Sequence, residues 1–116
     1  MAADPVTGTL RFITAANTLV YFAAAMYHSG LVIPAGALAA ASIAEALLGF
    51  VLLLAFVGVL PRWPAYLIAL AGTLFGLTIV LLRGLLGVDL WIHVVMLAGL
   101  AVAFLLLFSR RASPST

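Results

Sequence analysis

The chain has 116 residues, 67% of them hydrophobic and 7% charged, with a mean hydropathy of +1.38. A soluble domain carries about a quarter of its residues as Asp, Glu, Lys or Arg, so this composition excludes a soluble enzyme and a disordered chain and implies a membrane protein. The absence of cysteine excludes disulfides, thiolate metal sites and nucleophilic thiols. A basic pI near 9.7 rests on scattered arginines with no lysine, which makes no patch of the kind nucleic acid requires.

Crossing a hydrocarbon core takes roughly 20 apolar residues of helix, and four runs of that kind follow one another. The first, about 10–29, closes at Ser29-Gly30, and Pro34 suits the first turn of the next helix. The second, about 35–59, stops at Pro61-Arg62-Trp63-Pro64, which reads as a compact loop with two helix-breaking prolines and Trp63 at headgroup level. The third covers about 65–86. The fourth, about 89–109, follows Gly84 and Gly87 and ends at Ser109-Arg110-Arg111, before a polar tail from Ala112 to Thr116.

Length and Ala/Leu content favour helix over buried strand, and backbone groups in lipid must be satisfied within the segment. Short connections make successive helices antiparallel neighbours, which predicts a single all-α domain, an up-down bundle of four transmembrane helices. Placing both termini in the cytoplasm puts Arg11, Arg62, Arg110 and Arg111 inside and only Arg83 outside, the bias expected of a multi-pass protein of the bacterial inner (plasma) membrane. Arg11, a short apolar run and Ala23-Ala24-Ala25 imitate a signal peptide, but Asn17 interrupts the run and the segment is read as a retained span.

Ionisable groups within membrane spans are costly and mark candidate sites. Here they are His28, Glu45, Arg83, Asp89 and His93, all in the outer half on this topology. Counting from residue 35 at about 1.5 Å per residue, Glu45 falls roughly 15 Å down its helix, at the base of a funnel. Asn17, Tyr21, Ala24 and His28 share one face of the first helix. Ser42, Glu45 and Gly49 do so on the second, and Gly72, Gly76, Ile79 and Arg83 on the third. The expected geometry turns His28, Glu45 and His93 inward, with Arg83 and Asp89 completing one polar cluster.

Each of these residues also has a purely structural reading. Gly72 and Gly76 have the spacing of close helix packing. Asp89 suits a helix N-cap. Arg83 suits an ion pair with it, or snorkelling to headgroups. Glu45 reads as a neutral acid bonded to Ser42 or to a facing helix, and Asp89 with His93 as a hydrogen bond fixing a tautomer. Tyr27, Trp91 and Tyr66 read as interfacial anchors. On the functional side, His28 and His93 are candidate ligands for haem or a metal ion, and Glu45 with the histidines is a candidate proton relay.

A histidine closing the first span (His28), a proline opening the second (Pro34) and an arginine after the third (Arg83) give the chain a layout that resembles the small four-helix, broadly DoxX-like bacterial membrane proteins. The resemblance implies the four-helix architecture and no particular activity. No nucleotide, zinc-protease or serine-hydrolase motif is present. The leading expectation is a non-enzymatic membrane subunit or binding module with an outward-opening polar pocket, in contact with the bilayer and with other membrane subunits or copies of itself. Two alternatives stand beside it: a small proton- or cation-coupled transporter or channel component, and a redox protein holding haem, a metal or a quinone-like molecule.

Overall fold

The computed structural model describes residues 5–112. Among them are four α-helices: α1 (Pro5–Ser29), α2 (Ala39–Phe56), α3 (Arg62–Leu82) and α4 (Val88–Ala112), with a single 3-10 turn at Pro34–Gly36 between the first two. Three of them, α2, α3 and α4, are long and apolar enough to cross a membrane. The sequence expectation put α1 in the same class. Its 25 residues instead include Thr7, Arg11, Thr14, Asn17, Thr18 and His28, and most of that polarity is turned inward.

The boundaries differ from the apolar runs where proline intervenes. Pro34 opens the 3-10 turn and α2 starts only at Ala39. Six residues at about 1.5 Å each therefore separate Glu45 from the helix start, roughly 9 Å rather than 15. Arg62, Trp63 and Pro64, expected in a loop, form the first turn of α3 behind Pro61. A proline is tolerated there because the first N–H groups of a helix have no intrahelical acceptor to lose. Past Ala112 the expected polar tail lies outside the described residues, as do the side chains of Arg110 and Arg111.

The helices pack in a ring, α1 on α2, α2 on α3, α3 on α4 and α4 on α1. Gly49 of α2 lies against the Phe22 ring of α1, and Ser42 donates to the Ala25 carbonyl, 2.7 Å. The connection before α2 is tied back by the Leu38 N–H on the His28 carbonyl, 2.7 Å, with Gly30 in the left-handed region at φ 75°. Pairs such as Ala25 with Ser42 and Gly76 with His93 match the end of one helix with the start of the next, so neighbours run antiparallel.

The core is apolar and tight towards the Pro61 end, where Leu10, Leu52, Ala65, Tyr66, Ala69, Leu100 and Ala103 are buried. Two tyrosines span the diagonal between α1 and α3. Tyr66 reaches from α3 to Thr14, 2.9 Å, and Asn17 donates to its hydroxyl at 3.4 Å. Tyr21 reaches from α1 to Thr73. Each threonine gives its own hydrogen to a carbonyl one turn back, Thr14 to Leu10 and Thr73 to Ala69, both at 2.7 Å. Each tyrosine is therefore the donor in its pair. The outer surface carries large apolar side chains all round, among them Phe12, Leu19, Phe50, Phe75, Trp91 and Leu105.

A candidate binding site at the histidine end

At the opposite end, His28 is held between two acids. It sits in the last turn of α1, 1% exposed. Its Nδ1 meets Oε1 of Glu45 on α2, and its Nε2 meets Oδ1 of Asp89 in the first turn of α4. Tyr27 closes one side with an edge-on ring contact at 5.1 Å. Gly36 makes room for that tyrosine, since a Cβ there would come within 2.7 Å of its ring.

The proton count follows from the geometry. Carboxylates accept only, so both contacts need a hydrogen between the partners. An imidazolium between two carboxylates supplies them, and so does a neutral imidazole with one protonated acid. Either way the trio carries one net negative charge. His28 and Glu45 are buried and Asp89 is half-buried, and burial makes a hydrogen bond strong and an unmet polar atom costly.

One such atom is present. Oε2 of Glu45 is buried and has no hydrogen-bond partner, and Glu45 lines a cavity of about 290 Å³. His93 lines it too: its Nδ1 donates to the Asp89 backbone carbonyl at 2.8 Å, which leaves Nε2 as the lone-pair nitrogen of the neutral ring. That Nε2 lies against Gly76, where an added Cβ would fall within 2.6 Å. Tyr21, whose hydroxyl donates to Thr73, also lines the cavity.

Of the five candidate residues, the structure brings His28, Glu45 and Asp89 into direct contact and sets His93 beside them on the cavity wall. Arg83 lines the cavity but is exposed and makes no ion pair among the described residues. Of the two readings of Arg83 the pair with Asp89 is not formed: Asp89 Oδ1 bonds His28, and Asp89 lies within the first turn of α4, which starts at Val88, rather than at its cap. His93 bonds the Asp89 carbonyl, not its carboxylate, and Ser42 bonds Ala25, not Glu45. Both ring nitrogens of His28 are occupied, so of the two histidines only His93 keeps one free. Among the described residues no group of three or more His, Asp and Glu side chains is arranged to hold a metal ion.

Sequence reasoning missed the braces below the site. Tyr66, read as an interfacial anchor, is fully buried, and Thr14 was not singled out. The signal was there: Leu10, Thr14, Asn17, Tyr21, Ala24 and His28 continue one face of α1 at alternating steps of four and three, and all six are buried. Comparison with family models, with curated proteins and with solved structures finds no match.

Proposed function

We propose that the chain is an integral membrane binding module, four spans with both termini cytoplasmic, whose pocket at the outer end holds the polar group of a small ligand. The observation that carries this reading is the unpartnered Glu45 Oε2, buried beside an imidazole fixed from both sides, on a residue that lines a cavity. An orphaned buried oxygen costs about 1–3 kcal/mol, and a ligand hydrogen would remove that cost. Mostly apolar lining with a few convergent polar atoms is the usual character of a small-molecule site, and this cavity lies near the lower size limit of such sites. α1 crosses with the others on this reading because its polar residues are satisfied inside the ring.

The binding reading is favoured over a transport path by where the hydroxyl hydrogens go. The Tyr66–Thr14 and Tyr21–Thr73 bonds end on the Leu10 and Ala69 carbonyls, which are dead ends for a proton. Met96 lines the cavity, and Leu52 and Leu100 belong to the buried core with it. A one-sided pocket fits this better than a channel. Native mass spectrometry of the protein released from mild detergent tests the module and its assembly together. The wild type should retain a small-molecule mass, or sit in a larger particle, that Glu45→Gln loses. A bare monomer in both cases overturns the reading.

A further inference from the structure

The cavity has a side as well as an end. Towards the connections it is covered by Leu38 and Leu85 with Arg83 beside them, but between α2 and α3 its lining includes Ala40, Ala44 and Phe75, all exposed on the outer surface. The seam there is cut from small residues. Ala40 and Ala44 on α2 and Gly72 and Gly76 on α3 all line the cavity, Gly72 packed against Leu48 of α2 and Gly76 against the His93 ring of α4. At the height of Glu45, the pocket therefore communicates with the apolar surroundings of the bundle.

Apart from the exposed Arg83 guanidinium at the connection end, the polar atoms left free inside are of one kind. Glu45 Oε2 and the Nε2 lone pair of a neutral His93 accept hydrogen bonds, while the hydrogens of Tyr21, His28 and His93 Nδ1 are already committed. A head made only of acceptors, such as a quinone carbonyl, finds no free donor at this depth, and an anionic head meets the negative charge of the trio. A volume of about 290 Å³, near the lower limit of small-molecule sites, has room for a head and a stretch of chain. It does not hold a whole lipid, so the remainder must leave through the seam.

We infer that the pocket takes a single-chain amphiphile with a hydrogen-bond-donating head, hydroxyl or amine, which slides in from the bilayer between α2 and α3 and leaves its chain in the gap. This rests on the pocket being a binding site, and the test separates the two ideas. The protein in phosphatidylcholine nanodiscs is photolabelled with three probes of equal chain length, an alcohol, a primary amine and a carboxylate, each with a diazirine in the chain. Labelled residues are mapped by mass spectrometry.

The alcohol and the amine should label the α2/α3 seam saturably, and the carboxylate about tenfold less, the equivalent of one lost hydrogen bond to a charged group. Glu45→Gln should weaken labelling by about tenfold for the same reason. Ala44→Phe, which fills the seam without touching the trio, should abolish it, and Ala40→Phe serves as a second closure if the first alters helicity. Labelling that survives both closures but falls in Glu45→Gln overturns sideways loading and leaves the pocket standing. Equal labelling by the carboxylate overturns the donor rule. Labelling indifferent to Glu45→Gln overturns the head assignment, and no saturable labelling by any probe overturns pocket and inference together.

Discussion

The two ends of this bundle handle buried polarity in opposite ways. Towards Pro61, every polar side chain on the inner face of α1 ends on a partner: Asn17 on Tyr66 and Gly99, Tyr66 on Thr14, Thr14 on Leu10. Towards the Gly30 and Gly84 connections, charges replace hydroxyls on that face and one carboxyl oxygen is left over beside a cavity. Away from that face, the Pro61 end has a cleft of its own and an unpartnered buried Nε of Arg62. Stability alone asks for the first arrangement, because an unmet group in a dry interior is costly.

The contrast can be broken most forcefully at His28. His28→Ala strands two acids against each other, and removal of one member of a buried charged set costs about 3–5 kcal/mol. Denaturant unfolding in detergent, followed by helicity, should show the largest loss of any single substitution here. At the filled end, Gly99→Ala pushes a methyl to within 2.1 Å of Asn17 Oδ1, whose amide is pinned to Tyr66 and to the Gly99 carbonyl. Overpacking of that kind costs about 1–3 kcal/mol, measured by the same unfolding curve.

Tyr66→Phe removes the diagonal brace and should cost about 1 kcal/mol, the range of a hydrogen bond between membrane helices. A shift larger than that of Gly99→Ala would reverse the ranking. The smallest effect sharpens the comparison most. Ala44→Phe, on the open seam, should change stability by no more than about 0.5 kcal/mol, whereas the same enlargement at Ala103, fully buried at the filled end, should cost about 1–3 kcal/mol.

The helix count was legible in the sequence because runs this apolar have few alternatives, and the membership of the polar cluster because ionisable residues within such runs are so few. The helix ends were less so, since a proline can break a helix or sit in its first turn, and Pro64 does the latter. Pairing within the cluster was not legible. Which carboxylate meets which nitrogen depends on the rotation of α2 and α4 about their axes, and for α2 that is set by contacts such as Gly49 on Phe22 and Ser42 on Ala25, which hydropathy does not encode. Tyr66 escaped for a different reason: a phenol suits a membrane boundary as well as a buried site with a partner.

The inward polarity of α1 bears on how the chain is made. α1 is synthesised first, yet it is the one helix too polar to rank among the apolar spans. The groups that quiet its side chains, Tyr66, Thr73, Asp89 and the Gly99 carbonyl, leave the ribosome some fifty to eighty residues later. On the membrane reading, α1 has to wait at the translocation machinery or at the bilayer surface until α3 and α4 arrive. With a single cysteine introduced into α1, a nascent chain truncated after α2 should therefore leave that thiol open to aqueous alkylating reagents, from which the full-length chain protects it.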